Sequence, residues 1–61
     1  MIDWSTVPKD TKVFDSNLNA EGYMVMHYGP DSRYAVHIVF PDLRHGETYT
    51  TEEADARLKL V

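Results

Sequence analysis

Two stretches in the middle of the chain carry the strongest pattern. Tyr23-Met24-Val25-Met26-His27-Tyr28 and Arg33-Tyr34-Ala35-Val36-His37-Ile38-Val39-Phe40 are rich in aromatic and β-branched residues and read as strands. Between them, Gly29-Pro30-Asp31-Ser32 has the composition of a chain reversal. The pair predicts an antiparallel hairpin, closed off by Pro41 and Asp42 because proline cannot donate to a ladder. Upstream, Thr11-Lys12-Val13-Phe14-Asp15 predicts a shorter strand, and the Ser, Asn and Gly of Ser16 to Gly22 a turn after it.

A symmetric four-residue loop sets Tyr28 opposite Arg33, His27 opposite Tyr34, Met26 opposite Ala35, Val25 opposite Val36 and Met24 opposite His37. Period-two alternation then divides the hairpin into two faces. One carries Tyr23, Val25, His27, Tyr34, Val36, Ile38 and Phe40, and supplies the expected core: Val13, Tyr23, Val25, Val36, Ile38 and Phe40. The other carries Met24, Met26, Tyr28, Arg33, Ala35, His37 and Val39 and is more apolar than a solvated sheet face should be. Met24, Met26, Tyr28, Arg33 and His37 are its candidate interaction surface, unless a helix and an N-terminal arm anchored by Trp4 cover it.

Leu43 to Glu47 reads as a loop and Thr48-Tyr49 as a short extended piece. Thr50 followed by Glu53 is a capping-box pattern, with Glu52 and Glu53 in the first helical turn, where the helix dipole favours carboxylates. Ala54 and Leu58 fall on one face of that helix. The architecture expected is α+β: an antiparallel meander of three to four strands with a short C-terminal helix, in a single small domain over residues 1–61. The optional strand lies at Thr48-Tyr49 or at Leu58-Val61, and the second choice would shift the fold toward a small barrel.

Sixty-one residues support one hydrophobic core. The chain has no cysteine, so disulfides and thiolate-rich metal sites are excluded as staples, and self-association into a homodimer is the cheapest stabiliser left. No run approaches the roughly 20 apolar residues of a membrane span, and the opening has neither the basic flank nor the apolar core of a signal peptide. A cytoplasmic location is expected. Ten carboxylates against six basic side chains give a net charge of -4, which repels a phosphate backbone unless the cations gather on one face. Glu52, Glu53 and Asp55 are the one dense acidic group; they read as a solvated surface or as a face that docks on a basic partner.

Candidate chemistry is sparse. His27 and His37 fall on opposite faces of the predicted hairpin and cannot share an ion in regular register. No nucleophile elbow, Cys-His pair or phosphate-cradling glycine loop is present, and capping accounts for Glu52-Glu53. No catalytic residue, metal or cofactor is expected, so the chain reads as a binding protein rather than an enzyme. A nucleic-acid platform could at most combine Arg33, Tyr28 and His37 with Met24 or Met26 and with Lys12.

The opening, Asp3-Trp4-Ser5-Thr6-Val7-Pro8-Lys9-Asp10-Thr11-Lys12-Val13, resembles that of many small phage- and prophage-encoded proteins, in which a Trp, a Val-Pro and an Asp-Thr step lead into the first strand. The resemblance implies a habitat and a size class, and it carries over no functional residue. Small acidic proteins of that origin include inhibitors of host nucleases and defence complexes. The expected function is therefore an acidic protein-binding module, an accessory protein or an inhibitor of that kind. A nucleic-acid-binding regulator and a structural or assembly piece are the alternatives.

Overall fold

A computed structural model describes residues 2–29 and 31–61 of the chain; Pro30 of the expected reversal lies outside them. After a 3-10 turn at Trp4–Thr6 come strands β1 (Lys12–Asp15), β2 (Ala20–His27), β3 (Tyr34–Phe40) and β4 (His45–Thr50), helix α1 (Thr51–Arg57) and strand β5 (Leu58–Leu60). The strands form one antiparallel sheet in the order β4-β3-β2-β1-β5. The class is α+β with a short C-terminal helix, as the pattern predicts. The sheet has five strands rather than three or four, because both optional strands form and the expected 43–47 loop closes quickly. Pro41–Leu43 makes a single 3-10 turn and Arg44 takes a left-handed conformation at φ 50. The reversal is then complete, and His45 already pairs with Phe40.

The capping box forms as its sequence demands. The Glu53 backbone N–H donates to Thr50 Oγ1 at 3.1 Å, and the Thr50 backbone N–H donates to Glu53 Oε1 at 3.0 Å. The helix nevertheless stops at Arg57, although Leu58, Lys59 and Leu60 all tolerate helix. Pairing overrides propensity here: Leu58 falls opposite Asp15 and Leu60 opposite Val13, and extending the helix would forfeit the strand. Because β4 and β5 are the two edges of the sheet, α1 must run from one edge to the other, and it packs on β3, β4 and β5 along the way.

The buried residues form one cluster on the inner face of this curled sheet. Val13, Met24, Val36, Ile38, Phe40, Tyr49 and Leu58 come from strands, Ala54 from α1, and Trp4 and Val7 from the N-terminal arm. Gly22 lies on the same face, opposite Val13. A methyl group there would overlap the Val39 carbonyl oxygen and approach the Phe40 ring to 2.7 Å. The curl of β2 against β3 thus depends on the missing side chain.

One polar group is sealed into the cluster. Asp15, at the end of β1, has no exposed surface. Its carboxylate receives hydrogen bonds from the Tyr49 hydroxyl and from the backbone N–H groups of Asn17 (2.7 Å) and Leu18 (3.0 Å). It also pairs with Arg57 Nη2 at 2.9 Å. Arg57 reaches Glu47 as well, at 3.1 Å, and its guanidinium carbon lies 5.0 Å from the centre of the Tyr49 ring. Burial opposes ionisation of Asp15, but the bonds from Tyr49, Leu18, Arg57 and Asn17 outweigh it and hold its carboxyl below the ordinary range. Tyr49 moves the other way: burial, its bond to Asp15 and the negative charges of Asp15 and Glu47 push its hydroxyl well above the usual value, so it remains a donor.

Two predictions follow from these contacts. The extra methyl of Gly22→Ala meets backbone, which cannot rotate away, so a cost at or above about 3 kcal/mol is expected. That equals most of the roughly 3–5 kcal/mol a core of this size supplies, and thermal melting by circular dichroism should show a lost or strongly lowered transition. For Asp15, the folded pKa lies below the unfolded value, so the unfolded chain takes up the proton first. The stabilisation is complete above about pH 4 and is lost as pH falls through the folded value. Asp15→Asn should cost about 3 kcal/mol at pH 7 and flatten the acid limb of a stability-versus-pH series; an unchanged acid limb would assign acid sensitivity to other carboxylates.

Candidate functional site

Two irregularities decide which side chains reach the surface at the hairpin end of the sheet. On β2, Met24 pairs with Ile38 and Met26 with His37, so Val25 is an extra residue. On β3, Tyr34 pairs with Thr50 and Val36 with Tyr49, so Ala35 is extra. Each bulge breaks the period-two alternation and increases the local twist.

The β2 bulge corrects the face assignment upstream of it. Between the bulge and the turn the expected faces hold for Val36 inside and for Met26 beside His37 outside, but His27, expected on the core face, pairs with Val36 and is exposed. Beyond the bulge the faces reverse: Met24 enters the core at 1% exposure, and Tyr23, expected in the core, stands out at 39%. Val25, also expected in the core, is the bulged residue and only half-buried. Val13, Val36, Ile38 and Phe40 are buried as predicted. The expected strand-by-strand register is corrected with it, because the chain between His27 and Tyr34 spans six residues, not four.

The expected interaction surface accordingly separates into parts. Met24 leaves it for the core. Met26 is 48% exposed and shares the outer face with His37, Tyr23, Val39 and Phe14, which register places on that side. His37 is half-buried there, its Nδ1 2.8 Å from Thr48 Oγ1 and its ring beside Gly46. Tyr28 and Arg33 belong instead to the hairpin end. Glu52, Glu53 and Asp55 are all exposed on α1, but Glu53 is engaged in the capping box, and bonding to the Thr50 backbone N–H first, then to its hydroxyl, keeps its carboxyl below the ordinary range.

At the hairpin end the N-terminal arm and the two bulged strands enclose a cleft of about 410 Å³, lined chiefly by Ile2, Asp3, Trp4, His27, Tyr28 and Tyr34. The arm is set by Asp3, whose Oδ1 accepts from the Ser5 backbone N–H at 3.1 Å and from Ser5 Oγ at 2.6 Å. Trp4, 5% exposed, forms the floor. Its indole N–H is buried and has no hydrogen-bond partner among the described residues, which costs about 1–3 kcal/mol. Backbone donors hold the walls: Tyr28 N–H donates to the Ala35 carbonyl at 3.0 Å, and Tyr34 N–H to the Ser32 side-chain Oγ at 3.1 Å. The Tyr28 and Tyr34 rings are 6.1 Å apart between centres and inclined at 54°. Arg33 lies over the Tyr34 ring, 5.5 Å from its centre, without lining the cleft.

Among the described residues Asp3 is the one carboxylate that lines the cleft, and an adjoining groove that shares Thr51 with it is lined by both Glu52 and Arg33. No family model matches this chain, no curated protein matches it, and no solved structure matches it. Among the described residues no group of three or more His, Asp or Glu side chains is placed to hold a metal ion, and no helix is long and apolar enough to cross a membrane.

Sequence reasoning placed Tyr34 and His27 on the core face and Trp4 as a lid over one end of the sheet; it did not bring the three together. The available signal was the aromatic density around the turn, with Tyr28 and Tyr34 flanking Gly29 to Arg33. The contrast between neighbouring methionines tests the bulge directly. Met24→Ala should cost about 2–5 kcal/mol and Met26→Ala less than about 0.5 kcal/mol, measured by urea unfolding. Equal costs would mean that both side chains face the same way and that Val25 is not bulged.

Proposed function

We propose that this chain is a protein-binding module which receives a segment of a partner in the cleft between the N-terminal arm and the hairpin end, and acts by covering that partner's surface rather than by catalysis. The observation that carries the reading is the cleft itself. In a domain with one small core, aromatic side chains are the main currency of stability, yet Tyr28 and Tyr34 are held half in solvent around a space large enough for one or two side chains. A net charge of -4 suits a partner with a basic surface. Together with the phage-like opening, it makes a host nuclease or defence complex the class of target to try first. Self-association through the outer strip is a separate question, which light scattering answers.

The second reading, a nucleic-acid platform, rests on the outer face, where Lys12 pairs with Tyr23 and Phe14 with Lys59. Lys12 is already shared with Glu21, 3.9 Å away, which weakens it.

The two readings use different surfaces, so paired variants separate them. Tyr34→Glu places a charge in the cleft at a site that is 39% exposed, where the fold should tolerate it. The wild-type chain is expected to retain a stoichiometric partner from host extract that Tyr34→Glu loses and Lys12→Glu keeps, with both variants melting normally. Loss with Lys12→Glu alone, and salt-sensitive binding of a fluorescent oligonucleotide, would transfer the function to the outer face.

A further inference from the structure

We infer that the cleft is a receptor for a cationic side chain, specifically an arginine presented by an extended segment of the partner. This rests on the protein-binding reading above and names what the site recognises. Three observations converge on it.

The first is the lining. Tyr28 and Tyr34 offer inclined ring faces 6.1 Å apart, and Trp4 closes the floor. Aromatic faces arranged around a small space attract a cation through the negative potential of their π clouds, and a planar guanidinium also stacks on them. The protein already shows this chemistry on the same ring, since Arg33 of the chain itself lies over Tyr34.

The second is charge. Asp3 is the one carboxylate among the described residues that line the cleft, where no Lys or Arg accompanies it; Arg33 lines the adjoining groove together with Glu52. Asp3 uses Oδ1 to hold Ser5; no hydrogen bond engages its Oδ2 among the described residues. An apolar ligand alone would gain nothing from the Asp3 carboxylate, whereas a cation gains from it.

The third is the Trp4 indole N–H, a buried donor without an acceptor in the residue that forms the floor. A free quaternary ammonium ion brings no acceptor. A peptide brings a carbonyl on either side of its arginine, an acceptor of the kind this donor lacks among the described residues. This favours a cation carried on a peptide.

The chain has one tryptophan, so its indole resonance in a proton–nitrogen spectrum and its fluorescence both report on the cleft alone. The probe is a blocked pentapeptide, acetyl-Gly-Ala-Arg-Ala-Gly-amide, titrated beside its citrulline twin, which keeps the shape and loses the charge. The arginine peptide should shift the Trp4 indole signal saturably, the citrulline peptide should bind about tenfold more weakly or not at all, and added salt should weaken the difference. Asp3→Asn preserves the acceptor that holds Ser5, and Tyr34→Leu preserves apolar bulk; each should weaken arginine binding about three- to tenfold while the melting temperature holds. Equal binding of the two peptides would overturn the inference in favour of an apolar slot. Absence of binding by either, while a partner is still captured in a Tyr34-dependent way, would overturn the inference and leave the protein-binding reading standing. If Tyr34-dependent capture is absent too, both fall.

Discussion

The Asp15 carboxylate is the constraint on which the rest of the structure hangs. It sits where β1 ends, and the groups bound to it come from three other places in the chain: the 17–18 loop, β4 through Tyr49, and the last residue of α1 through Arg57. Those connections join the two edges of the sheet. A chain of this length without cysteine has to find a substitute for a covalent staple, and a buried carboxylate with four partners serves as one. Its value lies less in net free energy, since desolvation cancels much of the attraction, than in specificity. A shifted register of β5 on β1, or a longer α1, would move Arg57 away from the buried Asp15 it now neutralises.

This also explains which features were legible in the sequence. The capping box, the strand runs and the core positions Val36, Ile38 and Phe40 are local signals, and each appears in place. Where α1 ends is not local. Leu58 and Lys59 suit a helix, and only the ion pair of Arg57 with Asp15, 42 positions earlier in the chain by the numbering, together with the pairing of Leu58 with Asp15, makes them extended. Asp15 itself read as the polar end of a strand, because nothing adjacent to it announces a tyrosine and an arginine from the other end of the chain.

The bulges at Val25 and Ala35 were illegible for another reason. Period-two reasoning assumes a regular ladder, and one inserted residue reverses every assignment on its far side. Tyr23 and Met24 exchanged places for that reason. Both bulges flank the 28–33 connection, where the cleft opens. A regular hairpin would carry its alternation unbroken to the turn; the extra residues instead bury Ala35 and Val36 in succession and leave Tyr34 facing out beside the cleft. Departure from local rules is common at functional surfaces, and in this protein the two bulges lie on the strands that wall the aromatic cleft.

The staple and the cleft are mechanically joined. Helix α1 has seven residues and so spans only about 10 Å. Its last residue, Arg57, is locked to Asp15 and Glu47, while its first two, Thr51 and Glu52, form the edge of the cleft and the adjoining groove. β4 makes the same connection by a second route: Tyr49 enters the staple, and Thr50, the next residue, caps the helix and pairs with Tyr34 in the cleft wall. A helix this short is not stable alone, so the position of Glu52 and the pitch of Tyr34 are inherited from the buried ion pair at the opposite end. The cleft is thereby set on fixed elements along its β3 and α1 sides, and the N-terminal arm that closes it is held by the turn that Asp3 nucleates and by Trp4 and Val7, which are buried in the core.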